Sequence, residues 1–280
     1  MGINVLSLFD GLSCAQIALD KLDIDVDNYY ASEVDEKCIS ITNKNYPNTI
    51  QLGDVITLNC KELNPIHLLI GGSPCQGFSL AGNQLNFDDP RSALFFEFVR
   101  ILKECEPTYF LLENVRMKQE VADAISHILG VVPVEINSSL VSGQNRRRYY
   151  WTNIPNITQP PDMNINGRDV FEDTSYEIAT VRKGKNGGPR QITSPNGLKL
   201  PCLTASYWKG INADGRPGKS KYFGDYFVGG IEMLLPIECE RLQNIPDDYT
   251  AGVAKTHRYK MIGNAFTVNV IKHILKEMKL

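Results

Sequence analysis

Ile3-Asn4-Val5-Leu6-Ser7-Leu8-Phe9-Asp10-Gly11-Leu12-Ser13 decides the fold class. Residues 3–9 read as a buried strand, 10–13 as a turn, and a helix runs on through about Lys21. A near-continuous apolar run of this kind belongs to a strand covered on both faces, as in parallel sheets. The unit then repeats. Residues 28–32 form a second strand ending at Glu33, a helix spans 35–45, and a short strand near 49–52 ends at Asp54. Ile66-His67-Leu68-Leu69-Ile70 is the next strand, closed by Gly71-Gly72-Ser73-Pro74-Cys75. Leu94, Phe95, Phe98, Val99 and Leu102 share one face of a helix across roughly 91–104. A strand at about 108–112 ends at Glu113 and a helix covers 116–129. Strands at 131–140 and 147–153 flank Ser142-Gly143-Gln144, a hairpin turn. The alternation predicts an α/β fold, a mostly parallel sheet with helices on both faces. Ligands in such sheets bind beyond the carboxyl ends of the strands, so 10–13, 33, 54, 71–75 and 113 should line one crevice.

Beyond about residue 155 the texture changes. Residues 155–235 are rich in Pro, Gly, Asn and Lys, with short apolar runs of no clear period. Lys183-Gly184-Lys185-Asn186-Gly187-Gly188-Pro189-Arg190 and 209–221 read as basic loops. The tail from Gly263 carries Val268, Val270, Ile271 and Ile274 on one helical face and should return to the sheet. We therefore expect a sheet domain of residues 1–155 plus 258–280, and a small irregular domain of residues 156–257.

Composition narrows the function classes. The 280 residues carry 29 Lys+Arg against 32 Asp+Glu, which excludes a uniformly basic nucleic-acid coat but not a local basic groove. The seven cysteines are odd in number, widely spread and contain no Cys-x-x-Cys pair; with only four histidines this argues against a disulfide scaffold and against zinc. No metal is expected, and the expected setting is a reducing cytoplasm. No apolar run approaches the ~18 residues of a membrane span, and the start has no basic region leading into an apolar stretch, so neither membrane nor secretion is expected.

Three strand ends suggest a nucleoside-containing cofactor. The turn Phe9-Asp10-Gly11-Leu12-Ser13-Cys14 offers backbone N–H groups at a helix start. Glu33 stands about twenty residues further on, where a carboxylate accepts hydrogen bonds from ribose hydroxyls, and Asp54 repeats the pattern at the third strand. Each alone is as well explained by a structural turn or a surface carboxylate. Gly72-Ser73-Pro74-Cys75-Gln76-Gly77-Phe78-Ser79 is more specific: a cysteine in a glycine-rich loop at a strand end is where a reactive thiolate sits. Glu113-Asn114-Val115 ends the neighbouring strand, bringing a carboxyl to the same edge of the sheet. In Gln144-Asn145-Arg146-Arg147-Arg148-Tyr149-Tyr150-Trp151, alternation sends Arg146 and Arg148 to one face and Arg147 to the other. Such guanidinium groups suit phosphate, base or carboxylate binding, or a plain solvated edge.

Taken together, the chain resembles the DNA cytosine-C5 methyltransferase family. Pro-Cys-Gln near residue 75, Glu-Asn-Val at 113–115, Gln-x-Arg-x-Arg at 144–148, Glu-Arg-Leu-Gln at 240–243 and Gly-Asn-Ala at 263–265 occur in the family's order. The opening Phe-Asp-Gly-Leu-Ser lacks the second glycine of the commoner Phe-x-Gly-x-Gly and is more similar to the Asp-Gly-Ile opening of the animal de novo branch. The resemblance implies a Rossmann-like S-adenosylmethionine-dependent methyltransferase fold with a small irregular target-recognition domain over the second segment. It implies Cys75 as the nucleophile on cytosine carbon 6, Glu113 at ring nitrogen 3, Arg148 on the base oxygen, and Arg146 in support. It assigns S-adenosyl-L-methionine, with S-adenosyl-L-homocysteine as product, to Phe9, Asp10, Gly11, Leu12, Glu33, Val34, Asp54, Val55, Pro74, Leu94, Asn264, Ala265 and Phe266.

The implied partner is double-stranded DNA, its target base flipped out of the stack. Gln76, Ser79, Arg91, Arg182, Lys183, Lys185, Arg190, Tyr207, Lys209, Arg241 and Gln243 are the candidate DNA contacts, with Arg241 and Gln243 also bracing the two domains. The loop from Gln76 to about Arg91 would close over the base. A stand-alone bacterial or phage enzyme, monomeric and cytoplasmic, fits this size. Two readings remain beside it: a tRNA cytosine-C5 methyltransferase of the same fold, whose Cys-Phe-Thr signature is absent here, and a catalytically silent nucleic-acid-binding protein. A nicotinamide-dependent oxidoreductase shares the sheet and Glu33 but leaves Pro74-Cys75 and Gln144-x-Arg146-x-Arg148 unexplained.

Overall fold

The computed structural model describes residues 2–73, 90–172, 178–183, 189–193, 199–207, 227–228 and 234–280. For 90–92, 178–183, 189–193 and 227–228 only the backbone is described. The chain divides into two compact units. The first comprises Met1–Ile136, Arg147–Gln159 and Val270–Leu280; the second comprises Asn137–Arg146 and Pro160–Asn269.

A seven-stranded sheet organises the first unit, in the order β3-β2-β1-β4-β5-β7-β6. Its strands are β1 (Ile3–Leu8), β2 (Val26–Ser32), β3 (Ile50–Gln51), β4 (Leu68–Gly71), β5 (Tyr109–Val115), β6 (Val134–Asn137) and β7 (Arg147–Thr152). β1 pairs in parallel with β2 and β4, β2 with β3, and β4 with β5; β7 joins β5 antiparallel. Every residue of β1 and β4 is buried, as central strands covered on both faces require. The order reverses between β1 and β4, the switch point where such sheets open a crevice.

Helices α1 (Cys14–Asp20), α2 (Glu36–Asn45), α3 (Pro90–Cys105) and α4 (Gln119–Leu129) lie between the strands. Local chemistry sets their ends. Asp35 caps α2 by accepting from Lys37 N at 3.0 Å, and Gly130 stops α4 at φ 71°, where a Cβ would strain the backbone. α3 and α4 bury Phe95, Phe98, Ile101, Ala122 and Ile125 with Leu6, Leu69, Leu112 and Trp151 in one cluster. Burying a side chain of this size contributes about 1.5–3 kcal/mol. A disulfide joins Cys60 to Cys105, with Cα atoms 5.7 Å apart. It departs from the expectation of a fully reduced chain, because a pairing across 45 residues leaves no local spacing signal.

In the second unit, β8 (Ile178–Lys183), β9 (Pro189–Thr193) and β10 (Phe227–Val228) form a small antiparallel sheet in the order β10-β8-β9. Helices α5 (Pro236–Leu242) and α6 (Lys255–Asn264) follow, and α7 (Val268–Leu275) ends the chain. Gly263 therefore closes α6 rather than opening the tail helix, as the sequence suggested. The second unit also takes in 137–146 and 258–269, which the sequence reading had given to the sheet domain. The cause is a buried polar network, described below, that ties these segments to α5.

Among the described residues no helix is long and apolar enough to cross a membrane, and no group of three or more His, Cys, Asp or Glu side chains is placed to hold a metal ion.

Candidate functional site

The turn after β1 is tight. Phe9, Gly11 and Ser13 all take left-handed backbone conformations, at φ 56°, 59° and 51°. Glycine adopts that region freely; Phe9 and Ser13 do so at a cost of order 1–3 kcal/mol each, strain of the kind that gathers at functional sites. Glu33 holds the turn in place. Its Oε2 accepts from Gly11 N at 2.8 Å, and its Oε1 accepts from Val34 N and Asp35 N, both at 2.8 Å. A carboxylate has roughly four acceptor positions, so among the described residues the open one lies on Oε2. Ser32 Oγ donates to Gly53 O at 2.8 Å, stitching the ends of β2 and β3 together. Asp54 caps the 3₁₀ turn Val55–Thr57 through Oδ1, accepting from Ile56 N at 3.0 Å. Its Oδ2 has no partner among the described residues.

Val34 and Ile56 follow these two carboxylates and stand 67% and 60% exposed. Apolar side chains next in sequence to carboxylates at strand ends suit a flat apolar ligand. Ile56 escaped the sequence reading; its signal, an apolar residue after an acidic strand end, was assigned to Val55. Val55 is instead buried and belongs to the core cluster, with its carbonyl accepting from Arg100 Nη2 at 2.9 Å.

The side chains of Asp10 and Leu12, two of the expected cofactor residues, turn inward. Leu12 is buried. The Asp10 carboxylate accepts from Ser13 Oγ and, at 2.8 Å, from Tyr29 Oη. Burial pushes its carboxyl above the usual aspartate value, against hydrogen bonds from Ser13, Ser7 and Tyr29; the charge of Glu33 adds to the rise. Through its hydrogen bonds Asp10 ties the turn to Ser13 and to Tyr29 on β2. Phe9 and Leu94 are half-buried against the core cluster.

The second part of the edge lies where β4, β5 and β7 end. Parallel pairing sets Gly71 beside Leu112, and Asn114 Nδ2 extends that register by donating to Ser73 O at 3.3 Å and Ser73 Oγ at 3.5 Å. Asn114 Oδ1 accepts from Val115 N at 2.8 Å, which fixes the amide. Ser73 stands two residues before Cys75. Cys75 itself, with Pro74, Gln76 and Ser79, lies outside the described residues, as do Lys185 and Lys209. Antiparallel pairing sets Glu113 opposite Tyr150 and Val115 opposite Arg148. Glu113 and Arg148 are therefore diagonal neighbours on one face. Arg148 Nε lies 3.0 Å from Glu113 Oε1, with the two side chains only 13% and 12% exposed. Charges paired in so sheltered a place attract far more strongly than on an open surface. Glu113 Oε2 has no partner among the described residues.

In the second unit the remaining motifs meet in a buried network. Gln144 Nε2 donates to Leu242 O at 2.7 Å and Gln243 Oε1 at 3.1 Å, and its Oε1 accepts from Leu203 N at 3.1 Å. Gln243 accepts from Thr267 Oγ1 at 2.8 Å and donates to Ile262 O at 3.1 Å. Arg146 donates through Nη1 to Leu203 O at 3.0 Å and Gly263 O at 3.3 Å, and through Nη2 to Ala265 O at 2.9 Å. Glu240 is fully buried and holds Arg258 Nη2 at 3.0 Å and Thr250 N at 2.8 Å. The Gln-x-Arg, Glu-Arg-Leu-Gln and Gly-Asn-Ala motifs are thus one structure in three pieces of sequence.

This corrects several expected roles. Gln243 is 0% exposed, with its Oε1 taken by Gln144 and Thr267 and its Nε2 bonded to Ile262 O, which makes it a brace of the fold and not a DNA contact. Tyr207 is buried and accepts from Leu234 N at 2.7 Å, which removes it as a reader of bases. Arg241 is committed to Glu172 and Asp247, each 2.6 Å from Nη2, and to Val170 O. Arg146 is buried among carbonyls and acts as a cross-link. Asn264 is exposed at the end of α6, Ala265 is buried and Phe266 is half-buried. Arg182 and Lys183 lie on β8, Arg190 on β9 and Arg91 on α3, where only the backbone is described.

Comparison with known proteins decides the family. The model of C-5 cytosine-specific DNA methylases matches residues 3–129 and 133–280. The chain belongs to that family. It is an enzyme, a DNA (cytosine-5-)-methyltransferase on a Rossmann-like sheet. It is 28% identical over 303 residues to the type II methyltransferase M1.ScrFI of Lactococcus lactis subsp. cremoris, covering 98% of this chain and 77% of that one. It is 26% identical over 317 residues to the type II methyltransferase M.HhaI of Haemophilus parahaemolyticus, covering 98% and 93%. The methylase shares its fold with the Dnmt2 methyltransferase of S. pombe, with a TM-score of 0.71 at 20% identity over 98% and 97% of the two chains.

Proposed function

We propose that this methyltransferase acts on a flipped-out cytosine in a short duplex site, with Cys75 as nucleophile, Glu113 and Arg148 holding the base, and the β1–β3 edge holding S-adenosylmethionine. The observation that carries the reading is the sheltered Glu113–Arg148 pair beside the Asn114–Ser73 clamp, two residues ahead of Cys75.

Carbon 5 of cytosine is a poor nucleophile until a group adds at carbon 6. The Cys75 thiolate forms that bond, and the ring's electron pair moves toward nitrogen 3 and carbon 5. Glu113 steadies the nitrogen. Arg148 occupies Oε1, so the open Oε2 is the atom that holds a proton at nitrogen 3 as negative charge builds there. Arg148 also offers a donor to the base oxygen. After transfer, loss of the carbon 5 proton restores the ring double bond and expels the Cys75 sulfur. A free thiol of pKa ~8.5 is only a few per cent thiolate at neutral pH, so a guanidinium nearby favours the attack.

The residues at the first edge fit S-adenosylmethionine. Glu33 Oε2 has an acceptor position open for a ribose hydroxyl, Asp54 Oδ2 is open for an amino group, and Val34 and Ile56 present apolar surface for a purine. When bound, the cofactor supplies the methyl group.

Methyl transfer from labelled S-adenosylmethionine to unmethylated genomic DNA and, in parallel, to tRNA tests the proposal, with base-resolution mapping and Cys75→Ala as control. Label on DNA cytosines, lost in the variant, is the expected result. Label on tRNA alone, or label retained by the variant, overturns it.

A further inference from the structure

One arginine of the 144–148 motif has no part in the network or the base site. Arg147 opens β7, with its side chain 60% exposed. Alternation along β7 sends it away from Arg148, which turns to Glu113. The β5–β7 register, Val115 opposite Arg148, brings Arg116 across from Arg147. Arg116 is 59% exposed. Both guanidinium groups face one carboxylate: Arg116 Nε lies 3.5 Å from Glu135 Oε2, and Arg147 Nη1 lies 3.3 Å from Glu135 Oε1. Charge-assisted bonds of good geometry run at about 2.7–2.9 Å, so both contacts are long. Neither side chain has another partner among the described residues.

We propose that Arg116 and Arg147 together bind a backbone phosphate of the DNA strand that carries the target cytosine, with Glu135 as a place-holder that the phosphate displaces. The inference rests on the DNA-methylating reading above and adds to it a binding site on the sheet unit. Two cations over one anion leave a net positive charge, and exposed pairs of this length are weak enough to open. A phosphate offers bidentate acceptors to planar guanidinium groups, which the shared carboxylate cannot give to both at once. The two faces of one strand end then divide the work: Arg148 faces the base, and Arg147 faces the backbone beside it.

The test is the affinity for an unmethylated duplex, followed by fluorescence anisotropy across a salt series, for wild type, Arg116→Gln, Arg147→Gln, the double variant and Glu135→Gln. Each arginine variant should weaken binding about 3–10-fold and raise KM for DNA in step, and the double variant, which gives up the one shared phosphate, should flatten the salt slope by ~0.9 for duplex DNA. Glu135→Gln should do the reverse and tighten binding, a sign that a merely structural role would not produce. A double variant with wild-type affinity and salt slope overturns the inference, as does a Glu135→Gln protein that binds no tighter. If wild type methylates DNA while the double variant binds like it, only this inference fails. If wild type transfers no methyl group to DNA, the underlying reading fails first.

Discussion

Replacing Gly263 by alanine sets two effects of opposite sign against each other. Gly263 lies in α6, next to its last residue, and by helix propensity alone alanine there should stabilise by up to about 1 kcal/mol. Packing argues the other way. A Cβ at 263 would lie 2.5 Å from Ala205 N and closer still to the carbonyl carbon and oxygen of Thr204. Ordinary contacts between carbon atoms sit at about 3.5–4.0 Å, so backbone must move by roughly 1 Å. Overpacking of this kind costs about 1–3 kcal/mol.

The moving segment is not free to give way. Leu203 O, one residue before Thr204, and Gly263 O both accept from Arg146 Nη1, which is buried. Stretching one such bond to a charged donor adds about 1.5–3 kcal/mol. The balance is a loss of roughly 2–4 kcal/mol, overwhelming the propensity gain. Scanning calorimetry reads it as a lower melting temperature. At about 2–4 °C per kcal/mol for chains of this size, the fall should be about 4–16 °C. An unchanged or raised Tm would refute the close approach of α6 to the 204–205 backbone, and with it the argument that the Gly-Asn-Ala motif is a packing device.

Two further outcomes follow from the sheet edge. Asp10 has its carboxyl pushed above the unfolded value by burial, so the native state binds that proton more tightly. Its contribution to stability is fully present below about pH 4 and is lost as pH rises through the higher folded value. Asp10→Asn should remove this loss, so the Tm difference between wild type and variant shrinks or reverses on going from pH 4 to pH 7; a difference independent of pH contradicts the account. Asn114→Ala deletes both bonds to Ser73 and should lower kcat about 10–100-fold by letting the segment before Cys75 drift, with the Kd for S-adenosylmethionine little changed. Wild-type kcat in that variant would mean that Asn114 does not position the loop.

The first half of the fold was legible because its physics is local. β1 and β4 are buried on both faces and read as unbroken apolar runs, and α3 shows its face at helical spacing. Strand ends fell within a few residues, as at Glu33 and Asp54. β5 ran on to Val115 because Glu113 and Asn114 still pair with β7.

The second half resisted for a physical reason. Gln144, Arg146, Glu240 and Gln243 look like surface residues in any local window, yet all are buried. Buried polar groups are tolerated only when satisfied, and the partners of Gln144 at Leu242 and Gln243 lie 98 and 99 residues away. No periodicity encodes that. For the same reason Gln243 and Tyr207 look like DNA contacts in sequence and are buried in the fold. The motifs themselves were visible, but whether a motif residue meets substrate or braces the fold was decided by long-range packing.

The claim at the centre of the account is a bond between the Cys75 sulfur and carbon 6 of the target cytosine. The most direct test is a duplex carrying the methylase's own site with 5-fluorocytosine at the target, incubated with S-adenosylmethionine. Fluorine at carbon 5 cannot leave as a proton, so the sulfur cannot be expelled and the adduct persists. The account predicts a denaturant-stable protein–DNA adduct whose cross-linked peptide carries residue 75, absent in Cys75→Ala. An active enzyme that leaves no adduct, or an adduct that survives in Cys75→Ala, would contradict it.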